Sequence, residues 1–165
     1  MKQFALITAT LAALLPSAFA DFDIYYSTFA EGISQTSDTG FTIFDGEPDC
    51  NDVFNNQMWG SFGDVSGSKV GFRCSGSGCT PSRDTNPENI DVLEMNFGDG
   101  GHYTMYKDRD YALVDLDGNQ VGTCEPFPGD DYLCAQAVAL GNPNYTGDRK
   151  IKCRTDFTAQ DILDA

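Results

Sequence analysis

The chain has 165 residues, 25 acidic side chains against 10 basic ones, and a formal net charge of −15. A field of that sign repels polyanions, which argues against nucleic acid and anionic membrane surfaces as partners. Beyond the first twenty residues no stretch approaches the roughly 20 apolar residues of a membrane span, so no later span is expected.

Taken in order, the chain opens with Lys2, an apolar run from Phe4 to Leu15, Pro16 and then Ala18-Phe19-Ala20. A positive start, a short apolar stretch and a small-x-small close are the parts of a secretory signal peptide. The expected organisation is a leader over residues 1–20 and one secreted, disulfide-rich domain over 21–165. Cleavage would take Lys2 with it and make the mature chain still more acidic. After Asp21, Phe22, Ile24 and Tyr26 alternate with Asp23, Tyr25 and Ser27, and Gly40 to Phe44 carries a similar β-rich pattern. Both read as strands. Asp49 is placed to cap a helix running toward Trp59, with Val53, Phe54, Gln57 and Met58 on one face and Gly60 as its stop. Lys69 to Cys74 reads as a short strand, and Thr80 to Asn89, with Pro81 and Pro87, as a surface loop.

The strongest local signals lie between Ile90 and Cys124. A hairpin is expected with Gly98-Asp99-Gly100 as a three-residue loop and Gly100 left-handed. That register pairs Met95 with Tyr103 and Leu93 with Met105 on one face, and Asn96 with His102 and Glu94 with Thr104 on the other. A second hairpin turns at Asp117-Gly118, read as a type I′ turn, and Lys107 to Asp110 joins the two into a four-stranded meander. Asp130 to Leu140 reads as a helix with acids at its start and Gly141 and Pro143 after it. Thr158 with Asp161 marks a final short helix. The expected fold class is α+β: an antiparallel β-meander sheet with one or two short helices, stapled by disulfides.

Six cysteines, Cys50, Cys74, Cys79, Cys124, Cys134 and Cys153, lie beyond the leader. An even number in an exported chain implies three disulfides, for which fifteen pairings exist. Loop lengths favour Cys74–Cys79 and Cys124–Cys134, leaving Cys50–Cys153. The single C-x4-C has no mate, so zinc is not expected.

Candidate chemistry is sparse. His102, the lone histidine, shares a face with Glu94 and could form an acid/base pair with it. Glu94 and Asp99, with Asp108 and Asp110 near the meander's ends, are the candidates for a glycosidase-type carboxylate pair. No G-x-S-x-G elbow supplies a nucleophile. Asp115, Asp117 and Asn119 resemble half a calcium loop, but Gln120 stands where an EF-hand needs Gly and Pro126 where it needs Glu. No metal or cofactor is therefore expected. Trp59, Tyr25, Tyr26, Tyr103, Tyr106 and Tyr111 could build a sugar-stacking platform if exposed. Asn144-Tyr145-Thr146 is an N-glycosylation sequon placed in a loop after the Asp130–Leu140 helix.

In format, the leader from Met1 to Ala20, the short mature chain, the six cysteines and the lack of a catalytic signature resemble the small secreted cysteine-rich proteins of filamentous fungi, many of them effector candidates. That resemblance implies a non-enzymatic protein acting on a host or competitor surface, stabilised by disulfides against extracellular proteases. The leading expectation is accordingly a secreted interaction protein, a monomer without cofactors, that binds an extracellular or host protein as a virulence factor. The competing expectations are a small acid-active extracellular hydrolase using a carboxylate pair, and a carbohydrate-binding module.

Overall fold

The computed structural model describes residues 20–31, 36–80, 85–137 and 142–165. All of the expected leader except Ala20 lies outside them. In chain order the elements are β1 (Ala20–Ala30), β2 (Ser37–Phe44), α1 (Cys50–Asn55), β3 (Trp59–Gly60), β4 (Gly71–Ser75) and β5 (Val92–Asn96). There follow β6 (His102–Tyr106), β7 (Ala112–Asp115), β8 (Gln120–Pro126), β9 (Tyr132–Ala135), β10 (Asn144–Thr155) and α2 (Ala159–Leu163).

The strands make one sheet in the order β3-β2-β1-β10-β8-β7-β6-β5-β4, with β9 sharing an edge of β10 with β8. The two ends of that order meet. The Phe62 amide donates to the Phe72 carbonyl at 2.7 Å, and Ser61 forms a parallel bridge with Phe72. The sheet is therefore barrel-like and nearly closed. The antiparallel sheet, two short helices and three disulfides agree with the expected class, but strand dominates, at 48% of the described residues.

Closure sorts the side chains into two groups. Phe22, Ile24, Phe41, Ile43, Phe72, Leu93, Met95, Met105, Leu113 and Ile151 fill the interior. α2 covers one end of the barrel, with Ala159 and Ile162 buried against that core. Thr158 and Asp161 form the expected capping box, and the Ala159 amide donates to Asp45 Oδ1 at 2.6 Å. A second cluster of Tyr25, Phe44, Val53, Tyr132 and Cys134 lies apart from this core. It packs the outer side of β1 and β2 beneath α1 and β9. This is why Phe22 to Ser27 is buried at every position: β1 has cover on both faces.

The hairpin of β5 and β6 has the expected register at all four pairs. Its turn differs. Gly98 and Gly101 carry the positive φ values, 70° and 104°, and Gly100 does not. The β7–β8 turn is not type I′ either. Gly118 alone is left-handed, at φ 82°, the Gly118 amide donates to Asp115 O, and Asp115 and Asn119 close the loop. This is the three-residue form with a left-handed third residue. β5 to β8 are consecutive in the sheet, as the meander requires.

α1 has the expected Asp49 cap, reinforced by Asp52 in a capping box. It stops at Asn55, however, because Asn56 turns extended and donates its side-chain amide to Ile43 O at 2.7 Å. Trp59 then joins β2 as part of β3. The helix expected over Asp130–Leu140 is corrected. Tyr132–Ala135 is strand β9, paired with β10, and Val138–Leu140 lies outside the described residues. The alternation of Tyr132 and Cys134 inward with Leu133 and Ala135 outward has period two, and it prevails over the helix propensity of the following alanines.

The disulfides are Cys74–Cys79, Cys50–Cys134 and Cys124–Cys153. The expected pairs Cys124–Cys134 and Cys50–Cys153 are thus replaced. Cys124 and Cys153 are directly opposed across β8 and β10, and Cys134 faces α1, whose first residue is Cys50. Cys74–Cys79 closes the expected short loop, whereas the other two pairs are selected by spatial neighbours across the fold.

Candidate functional site

Glu94 and His102 do come together. Both project from the outer face of the β4–β5–β6 wall, where Arg73 stands opposite Glu94. His102 Nε2 donates to Glu94 Oε1 at 3.0 Å, and Arg73 Nε donates to Glu94 Oε2 at 2.6 Å. The His102 side chain is 8% exposed and that of Glu94 16%. Burial works to raise the Glu94 pKa. The hydrogen bonds from Arg73 and His102, with their charges, outweigh it and hold the carboxyl below its ordinary value. Both carboxylate oxygens are engaged with cationic or proton-donating neighbours, which makes Glu94 an acceptor and a poor proton donor. Asp99 sits apart from this chain, exposed in the turn between β5 and β6. Asp108 and Asp110 lie exposed in the connection from β6 to β7.

Asp115 spends its carboxylate locally. Its Oδ1 accepts from the Asn119 amide at 2.8 Å and its Oδ2 from Asn119 Nδ2 at 3.0 Å. Those bonds hold its pKa below the ordinary carboxylate value. Asp117 is exposed at the same turn. Among the described residues no group of three or more His, Cys, Asp or Glu is arranged to hold a metal ion.

The proposed sugar-stacking set is dispersed. Trp59, Tyr25 and Tyr26 are core residues, 5%, 0% and 8% exposed. Tyr103 stacks on Phe157, and the face of Tyr106 is taken by the Arg109 guanidinium, 4.4 Å from the ring centroid. Asn144 opens β10, exposed, and is not in a post-helix loop.

Two constellations carry no motif in the sequence. The first is a buried ion cluster. Arg149, 7% exposed, donates from Nη1 to Asp23 Oδ2 at 3.0 Å, from Nε to Phe127 O at 3.0 Å, and from Nη2 to Asp130. Its guanidinium lies 4.2 Å from the Phe127 ring centroid. Asp23 Oδ1 and the Tyr25 hydroxyl, both buried beside it, have no hydrogen-bond partner among the described residues. Burial raises the Tyr25 pKa against the pull of Arg149. A β-bulge places Arg149 opposite Tyr25, a register no local rule reveals.

The second is the segment between β3 and β4. Val65 is fully buried, and Asn96, an outward residue of β5, donates through Nδ2 to Val65 O at 2.9 Å and to Gly67 O at 2.8 Å. Lys69 pairs with Asp64, whose carboxyl is held low by hydrogen bonds from Lys69 and Ser66. The loop so pinned presents Phe62, 53% exposed, and Val70, 44% exposed. The Phe62 ring lies over Gly60 and Gly71, where any Cβ would meet it within 2.7 Å. Those glycines, bracketing a lone aromatic, are the sequence signal for this close approach.

Comparison of the chain with protein-family models, with curated proteins and with solved structures finds no match.

Proposed function

We propose that this is a secreted, non-enzymatic interaction protein, a host-directed effector that binds an extracellular or host protein through loops on a rigid barrel. The observation that carries the reading is the pinned loop between β3 and β4. Val65 and the two Asn96 hydrogen bonds hold its backbone, and Phe62 and Val70 stand exposed upon it. Loops fixed in advance lose less conformational entropy on binding, and exposed apolar anchors are what protein partners bury. The interior, by contrast, is packed with core side chains, and both Glu94 carboxylate oxygens are already engaged, one by Arg73 and one by His102. Those features speak for binding over hydrolysis. In the same reading the leader directs export, the chain works as a monomer, and Asn144, exposed at the start of β10, carries an N-glycan.

The test is affinity capture of the purified mature protein against host extracts, beside the Phe62→Ala/Val70→Ala variant. One protein retained by the wild type and lost by the variant supports the reading. Turnover of a polysaccharide or peptide panel at acid pH, abolished by Glu94→Gln, overturns it.

A further inference from the structure

Three adjacent strands place Gly40, Ser27 and Gly147 in one row across the outer side of the sheet. The backbone of Trp59 with Met58 takes the space over Gly40, the Tyr132 ring takes that over Gly147, and a hollow remains beside Ser27. The rows on either side are large: Thr42, Tyr25 and Arg149 on one, Asp38, Phe29 and Tyr145 on the other. Val53 and Met58, from α1 and the segment after it, face the hollow, which has a volume of about 150 Å³. Tyr132 reaches over Gly147, whose Cβ would lie 2.1 Å from its ring. That position lets the Tyr132 hydroxyl meet Ser27 Oγ at 2.8 Å, while Ser27 Oγ meets Thr42 Oγ1 at 2.7 Å.

The pocket thus has apolar walls, with the Phe29 and Tyr145 rings 4.9 Å apart, and a cluster of three buried hydroxyls within it. Among the described residues no charged side chain lines it, Asp38 in the adjoining row being exposed. The one amide there, Asn56, is already used, donating to Ile43 O and accepting from the Gln57 amide. Hydroxyls both donate and accept, so the cluster can serve a single polar group from a ligand. A cavity of roughly 150 Å³ with apolar walls is the size that takes up a benzene ring. A sugar would leave hydroxyls unpaired against Phe29, Val53 and Met58, and an ion would have no counter-charge.

We infer that this pocket binds a monocyclic aromatic alcohol, of the chemical class of phenol, with its ring between Val53, Met58 and Phe29 and its hydroxyl on the Ser27–Thr42–Tyr132 cluster. The site is separate from the loop of the proposed protein contact, so either reading can fail without the other.

The test is titration of the mature protein with phenol, with toluene as the isosteric control, followed by calorimetry and by magnetisation transfer from ligand protons. Phenol is expected to bind one to one at millimolar concentration or below, with transfer to the Val53 and Met58 methyl groups. Toluene is expected to bind roughly three- to tenfold more weakly, the worth of one hydrogen bond, and Thr42→Val to shrink that difference. Val53→Phe, checked for folding by its melting curve, is expected to abolish both. Absence of phenol binding at about 10 mM, or transfer only to residues elsewhere, overturns the inference without recourse to any variant.

Discussion

Arg149 balances two carboxylates, Asp130, 19 residues away, and Asp23, 126 residues away. Asp23 is 1% exposed, so removing the cation strands a buried charge. Breaking such a pair costs about 3–5 kcal/mol, far more than an exposed ion pair is worth. Arg149→Met is expected to lose that much, and adding Asp23→Leu to recover a good part of it. Urea unfolding of both single variants and the double variant measures the coupling, and simple additivity would contradict it. Glu94 offers a second case, with a sign fixed by its depressed pKa. A carboxyl whose pKa falls on folding stabilises the protein above its unfolded value, and loses that contribution as pH falls through its folded value. Glu94→Gln is expected to cost about 1–2 kcal/mol at neutral pH. The gap to the wild type should close as unfolding is measured at successively lower pH through the carboxylate range. The Glu94–His102 contact was legible because both residues sit in one hairpin. Arg73 was not, since β4 reaches that wall across a long loop. The Gly40–Ser27–Gly147 row was less legible still, being assembled from three strands spread over the chain.

At the scale of elements, the covalent links differ in what they protect. Cys50–Cys134 spans 84 residues, Cys124–Cys153 spans 29 and Cys74–Cys79 spans 5. On loop entropy these contribute about 4.5, 3.6 and 2 kcal/mol respectively. Burial ranks their accessibility differently. Cys124 and Cys153 are 3% and 0% exposed in the interior, whereas Cys50 is exposed and Cys74 and Cys79 are half-buried. Under mild reductant without denaturant, Cys74–Cys79 and Cys50–Cys134 are expected to open first and Cys124–Cys153 last. Timed alkylation with peptide mass spectrometry reads the order, and early labelling of Cys153 would refute it. What sequence reveals about elements follows the same division. The β5–β6 register and both helix caps rest on residues a few positions apart, and each was readable. β9 was misread because its strand pairing and its disulfide both depend on partners outside its neighbourhood. Cys74–Cys79, a local pair, is as the sequence suggests, while the other two pairs depend on β8 lying beside β10 and β9 beside α1, which no local pattern shows.

The molecule as a whole carries a formal net charge of −15. Self-repulsion of that size opposes compaction at neutral pH, while the exposed ion pairs that salt would weaken contribute little. Raising sodium chloride from about 10 mM to about 1 M shortens the screening length from roughly 30 Å to 3 Å. The melting temperature at neutral pH is expected to rise by a few degrees as a result, and scanning calorimetry at the two concentrations decides the matter. Sequence announced the charge and the strand-rich pattern. It could not announce that the sheet curls until Phe62 meets Phe72, because closure is a property of all the ladders together. The longest ladder joins β1 to β10, the first described strand to the last. Loop closure over such a distance must precede any reward from the contacts it makes, which slows folding. A chain emerging in order from its N-terminus therefore holds β1 without its main partner until the final segment arrives. The barrel therefore closes late in folding, when β10 comes to lie along β1.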